Sequence, residues 1–183
     1  MGQSRAAGNQ YENLLNRRFH ADRPNSKWAT DIFYIHTKQG VQYLSMIWEL
    51  YDNSIVAYKT STKQTINLVL DTIRLVMRKE KKRAAAELQI HSDQGFQYTS
   101  QAYFNLTKSY GITPSMSRRA PPYDNAMAEN FFSILKSECI RLFKMETIRE
   151  AQTLIDSYIA FYNHERIQLY SKLSPFQKRR LFV

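Results

Sequence analysis

Trp28-Ala-Thr-Asp-Ile-Phe-Tyr-Ile-His36 is followed by Gln39-Gly40 and then by Val41-Gln-Tyr-Leu-Ser-Met-Ile-Trp48. Both long runs are rich in aromatic and β-branched residues, which fit a pleated, half-buried surface. Gln39-Gly40 is a turn signal between them. Val41, Tyr43, Ser45 and Ile47 fall on one face of the second run. Tyr51-Asp52-Asn53-Ser54 marks another turn, and Ile55–Lys59 reads as a third strand. Links this short join neighbouring strands antiparallel, so the three form a meander.

Downstream the period changes. Ile66, Leu70, Ile73 and Met77 recur at helical spacing within Thr65–Lys82, which ends in a charged run. Leu88–His91 is a short strand of interior type. Ser100–Tyr110 is a helix, with Ser100 as N-cap and Gly111 as stop. Ile112–Met116 is a fifth strand. Asp124 or Asn125 caps a helix expected to reach about Phe143. Thr147-Ile148-Arg149-Glu150 is a capping box opening a long amphipathic helix to about Asn163. Leu173-Ser174-Pro175-Phe176 starts a last short turn or helix. A meander followed by alternating helices and strands predicts an α/β fold, a mixed five-stranded sheet with helices on both faces.

Upstream, residues 1–22 form a basic N-terminal extension, expected to be partly flexible, with a short helix over Tyr11–Phe19. Arg17, Arg18, Arg23 and Lys27 make this stretch basic. Residues 23–183 make up one domain, as the length of 183 allows.

Composition narrows the function. The formal net charge is +10, which draws polyanions through counterion release. The 12 Tyr and 10 Phe argue against general disorder. A single cysteine, Cys139, permits no internal disulfide, and with no His/Cys cluster a structural zinc site is not expected. No apolar run reaches the roughly 18 residues of a membrane-spanning helix, and no secretory signal is visible. A reducing, cytoplasmic setting fits these features.

Three acids carry the chemistry. Asp31 sits mid-strand at the parity of Ala29 and Phe33, where a buried carboxylate is costly unless paired or metal-bound. Asp93 ends a strand, in Leu-Gln-Ile-His-Ser-Asp-Gln-Gly; by itself it reads first as a turn residue, since Asp-x-Gly is common in turns, and only second as a ligand beyond a strand end. Glu129 lies near the start of a helix, in Asp-Asn-Ala-Met-Ala-Glu-Asn-Phe-Phe. The spacing from Asp93 to Glu129 leaves 35 residues between them. Two strand-borne aspartates and one helix-borne glutamate suit a pair of divalent ions spaced about 3.5–4 Å, as in-line phosphoryl transfer uses.

The words Trp-Ala-Thr-Asp-Ile, His-Ser-Asp-Gln-Gly-Phe-Gln-Tyr-Thr-Ser, Ser-Met-Ser-Arg-Arg, Tyr-Asp-Asn-Ala-Met-Ala-Glu-Asn-Phe-Phe-Ser-Ile-Leu-Lys-Ser-Glu and Phe-Tyr-Asn-His-Glu-Arg occur in this order between Phe19 and Phe176. Together they resemble the integrase-type catalytic core of bacterial insertion-sequence transposases (the OrfB-type product), which is related to retroviral integrases. The resemblance implies a ribonuclease H-like fold and a DDE triad of Asp31, Asp93 and Glu129. It implies two Mg²⁺ (or Mn²⁺) ions, bridged by Asp31, with Asp93 holding one and Glu129 the other. It further implies cleavage at transposon ends and strand transfer into target DNA by a freed 3′-hydroxyl. Partners would be DNA, further copies of the chain, and a helix-turn-helix region or subunit that recognises the ends. Two readings stand beside it: a nuclease of the same fold that joins nothing, and a non-catalytic DNA-binding module.

Around the triad, Lys136 lies seven residues, two helical turns, beyond Glu129 and shares its face, suiting a phosphate grip. Asn130, Arg118, Arg119 and Tyr123 are further candidates for DNA contact. His91 is expected to be a buried, hydrogen-bonded histidine, and Asn163 and Arg166 to serve packing and capping. Asp52 and Asp71 are read as structural. One departure stands out. Where this group usually carries Gly-Asn and a small residue, the chain has Ala120-Pro121-Pro122, which stiffens that loop.

Overall fold

A computed structural model describes residues 8–80, 86–118 and 126–182. The meander forms as the sequence predicts: β1 (Lys27–Thr37), β2 (Gly40–Glu49) and β3 (Ile55–Ser61) pair antiparallel. Then come α1 (Ile66–Glu80), β4 (Gln89–Ser92), α2 (Gln101–Ser109), β5 (Thr113–Met116), α3 (Ala126–Glu138), a 3₁₀ turn (Ile140–Leu142), α4 (Ile148–His164) and α5 (Pro175–Arg180). β4 and β5 join parallel, giving the order β3-β2-β1-β4-β5. This mixed five-stranded sheet flanked by helices is a ribonuclease H-like fold.

Strand alternation divides the core into two layers. Ala29, Phe33 and Ile35 face α3 and α4, where Trp48, Phe131, Leu135, Ile155 and Tyr162 are buried with them. Trp28 and Ile32 face α1 and α2, with Ile47, Val69, Ile73, Tyr98 and Tyr103. The parity of Asp31 therefore places it under α3.

Local chemistry fixes the helix ends. Thr147 Oγ1 accepts from the Glu150 amide at 3.0 Å, and Glu150 Oε2 accepts from the Thr147 amide at 3.2 Å, completing the expected capping box. Thr147→Ala removes one of these bonds. It is expected to cost about 1 kcal/mol and to lower the thermal midpoint by about 2–4 °C, read by circular dichroism.

Two expectations need correction. Residues 11–19 form no helix. Asn16 and Arg17 take left-handed backbone angles, φ 43° and 64°, and Asn13 Oδ1 accepts from the Asn16 amide at 2.9 Å, closing a local turn. The segment docks instead. Glu12 O accepts from the Met116 amide, Tyr11 stacks on Phe104, and Leu15 is buried in the core. Tertiary burial has overridden local helical preference. The second correction concerns α3, which stops at Glu138 rather than near Phe143. Cys139 leaves the helical region at φ −129°, ψ −67°, and is buried, so the chain turns through Ile140–Leu142 in 3₁₀ form.

Candidate active site

The unequal lengths of neighbouring strands make the site. β1 has 11 residues and β4 only four, and β4 pairs with Lys27–Ala29 alone. Beyond Ala29, no described strand covers that edge of β1. Asp31 is the second residue along this uncovered stretch, half-buried, with Oδ1 accepting from the Ile32 amide at 2.7 Å. Asp93 is the first residue past the end of β4, beside the same edge.

Asp93 is held by the turn that follows it. Its Oδ1 accepts from the Gly95 amide at 2.8 Å, and Gly95 O accepts from the amides of Tyr98 and Thr99. A Cβ at position 95 would sit 2.9 Å from Asp93 Oδ1 and 3.1 Å from Gln97 Oε1. A side chain here would therefore displace the Asp93 carboxylate from the position the turn gives it. The Asp-x-Gly pattern belongs to a turn and also aims a cleft-lining carboxylate, so the two readings of Asp93 describe one geometry.

Below this turn Tyr98 is fully buried, and its phenol is pushed well above the usual range, first by burial and then by the negative charge of Asp31. Among the described residues its hydroxyl finds no hydrogen-bond acceptor or donor in good geometry.

Glu129 comes from the first turn of α3. The aromatic pair after it anchors that helix. Phe132 stacks on Phe33 with centroids 4.8 Å apart, and Phe131 meets Trp48 and Tyr162 edge-on at 5.4 and 5.0 Å. These contacts pin α3 over the α3/α4 face of β1. Glu129, Ser133 and Lys136 then project along one side of the helix. The Lys136 ammonium lies 5.3 Å from the Phe33 ring centroid.

Asp31, Asp93, Glu129 and Lys136 line one cleft of about 610 Å³, with Phe132 and Ser133. The cleft also includes Tyr34, His36 and Arg141, which the sequence did not single out. The acids are brought to one opening but not to a closed cage. Among the described residues, no three His, Cys, Asp or Glu side chains stand close enough to hold a metal ion unaided. The donor set offers carboxylate oxygen, the ligand preferred by hard divalent cations, and a lysine stands beside it.

Other expectations sort cleanly. His91 is buried, its Nδ1 2.8 Å from Ser115 Oγ. Asn163 bonds the Ile55 backbone at both its amide nitrogen and oxygen. Arg166 pairs with Glu138, whose carboxyl it holds below the usual range, and lies over the Tyr162 ring. Asp71 pairs with Arg74 on the exposed side of α1. Asn130 is exposed on α3 and is not among the cleft-lining residues. Arg118 is exposed at the end of the segment after β5. Arg119, Tyr123 and the Ala120-Pro121-Pro122 stretch lie outside the described residues.

Models of the integrase core domain match residues 21–122 and 129–181. A transposase-like protein of Haemophilus influenzae is 38% identical over 173 residues, covering 94% of this chain and 79% of its own length. The transposase for insertion sequence element IS904 of Lactococcus lactis is 39% identical over 156 residues, 85% of this chain and 61% of its own. Transposase InsF for insertion sequence IS3A of Escherichia coli is 36% identical over 129 residues, 70% of this chain and 44% of its own. The chain thus spans less than two thirds of the length of the last two relatives.

Among solved structures, the simian T-cell lymphotropic virus intasome superposes with a TM-score of 0.74 at 16% identity, over 97% of this chain and 59% of that one. The HTLV-2 integrase catalytic core domain in complex with magnesium gives 0.65 at 17% identity, over 87% and 99%. At such identities the likeness supports the fold alone. The sequence matches carry the family: this chain belongs to the integrase core domain family, in common with insertion-sequence transposases.

Proposed function

We propose that the chain is the DDE catalytic core of a DNA transposase, which cuts at an element's ends and transfers the freed strand into target DNA. One observation carries this reading. Three acids borne on β1, on the turn after β4 and on α3 open into a single cleft with a lysine beside them. Asp31, Asp93 and Glu129 would hold two Mg²⁺ or Mn²⁺ ions, which when bound supply activation of the attacking oxygen and charge stabilisation at phosphorus.

The protein's own part is placement. The Gly95 amide and the tight turn fix the Asp93 carboxylate before any ligand arrives, and the Phe131–Phe132 anchor fixes Glu129. Lys136 meets a non-bridging phosphate oxygen and favours the charge that grows there. The Phe33 ring under its ammonium favours a cation at that place. The same cleft serves hydrolysis and strand transfer, because water and a DNA 3′-hydroxyl are interchangeable attackers on a phosphodiester.

Selection of element ends would fall to a helix-turn-helix region or to a partner subunit. The integrase core solved as a trimer and the intasome support assembly of several copies on DNA as part of the same proposal.

The test uses labelled donor ends with target DNA and Mg²⁺. Joined product is expected, and it should disappear when the metal is chelated. Cleavage without joining would replace this reading with a nuclease. Absence of both, together with no heat of Mg²⁺ or Mn²⁺ binding in calorimetry, would leave a DNA-binding module. Lys136→Ala is expected to lower the single-turnover cleavage rate about tenfold, about 1.4 kcal/mol of transition-state stabilisation.

A further inference from the structure

The cleft does not end at Lys136. His36 lines both it and a second hollow of about 350 Å³, formed with Thr37, Lys38, Ile140, Phe143, Lys144, Met145 and Glu146. The two hollows meet at His36, beside the edge of β1 that β4 leaves unpaired. From Asp31 to Thr37 that edge covers about 20 Å, room for several nucleotides.

Cations stand along the groove. Lys136, Arg141 and Lys144 are all exposed, and among the described residues none of them has an ion-pair partner. The one carboxylate of the second hollow, Glu146, is neutralised by Lys38, Nζ to Oε2 at 2.6 Å.

Two aromatic rings stand beside these charges. Tyr34 is 51% exposed and is braced edge-on by Tyr43, with centroids 5.8 Å apart. Phe143 is 54% exposed. Exposing a large ring costs hydrophobic free energy that core packing would have gained. Unpaired cations interleaved with exposed rings are the chemistry that grips single-stranded nucleic acid, with phosphates on the cations and base faces on the rings. A duplex keeps its base faces stacked inside and would leave Tyr34 and Phe143 without a partner.

We infer that this groove is a track for an unpaired DNA strand leading away from the scissile phosphate, with Arg141 and Lys144 holding its backbone and Tyr34 and Phe143 stacking its bases. The inference rests on the proposed catalytic reading only for the position of the scissile phosphate. Binding along the track needs no chemistry and is measured without metal.

The experiment is fluorescence anisotropy with the full chain, in EDTA, on a labelled single-stranded 20-mer and on its duplex, over a range of salt. The double variant Arg141→Ala/Lys144→Ala is expected to weaken single-strand binding and to reduce the log–log salt slope by about 1.4, about 0.7 for each phosphate no longer neutralised. Tyr34→Ala and Phe143→Ala should each weaken single-strand binding fivefold or more with the slope unchanged, and duplex binding less than twofold. Tyr34→Phe should bind as the wild type does. Thermal melts report folding of every variant, and the half-exposed positions chosen should leave the midpoint in place.

Unchanged affinity in correctly folded alanine variants would overturn the track. Equal losses on single strand and duplex would overturn the stacking role, as would a loss for Tyr34→Phe matching that for Tyr34→Ala. A wild type that binds the strand as described yet joins no ends would leave the track standing and remove the catalytic proposal.

Discussion

Asp93→Asn is expected to reduce cleavage and strand transfer by at least about a hundredfold to a thousandfold, about 3–4 kcal/mol of transition-state stabilisation. The change is close to isosteric. An asparagine Oδ1 still accepts from the Gly95 amide, which Asp93 Oδ1 now meets at 2.8 Å, so the turn keeps its shape. What disappears is the negative charge facing the cleft. The melting midpoint should stay within about 2 °C of wild type, while single-turnover cleavage in Mg²⁺ collapses. Strand binding in EDTA should persist, because the groove's cations are elsewhere. Retained cleavage would remove Asp93 from the mechanism, and with it the proposed triad.

Gly95→Ala gives a companion result by a different route. The added methyl carbon would lie 2.9 Å from the Asp93 oxygen that the turn holds, so the carboxylate must swing aside. Activity should fall although no acid has been touched.

How much of this was legible in the sequence follows from which interactions are local. The meander was readable because its strands alternate and its turns are short. The acids were readable as members of motif words, and parity placed Asp31 on the face that α3 covers. Lys136 was readable because two helical turns return to the same face. Arg141 was not. It lies beyond the buried Cys139, where α3 gives way to a 3₁₀ turn, so helical spacing from Glu129 no longer predicts its direction. Tyr34 and His36 escaped notice for another reason. Strand parity puts them on the face opposite Asp31, and only the shortness of β4 lets one groove wrap the edge and meet both faces. The Tyr11–Phe19 stretch misled because its contacts, to Phe104 and Met116, are about a hundred residues away.

The same distance hid the group whose loss should matter most to stability. Glu49 closes β2 and Asp52 sits in the turn after it, both with fully buried side chains. Arg179 of α5 reaches them, Nη2 to Glu49 Oε2 at 3.1 Å and Nε to Asp52 Oδ2 at 3.3 Å, with Glu80 at 3.7 Å from Nη1. Glu49 also accepts from the Asn25 amide at 2.6 Å and from the Trp28 indole at 3.2 Å. Burial raises the Glu49 carboxyl to about 7; neighbouring Asp52 adds to the rise, while the Asn25 amide and Arg179 oppose it. Asp52 is raised as well, again chiefly by burial.

A buried ion pair contributes little over an apolar replacement, but removing one partner strands the other charge. Arg179→Met is therefore expected to destabilise the fold by about 3–5 kcal/mol at pH 8. The sign with pH is fixed. An acid whose folded pKa lies above its unfolded one stabilises the fold at low pH, and that contribution is lost as pH rises from about 4.5 through about 7. Without the guanidinium both carboxyls rise further, so acidification rescues the variant more than it helps the wild type. Melts at pH 5.5 and pH 8 should show the deficit shrinking at the acid end. A deficit that is equal at both values, or larger at pH 5.5, would mean that Arg179 holds α5 by packing rather than by charge.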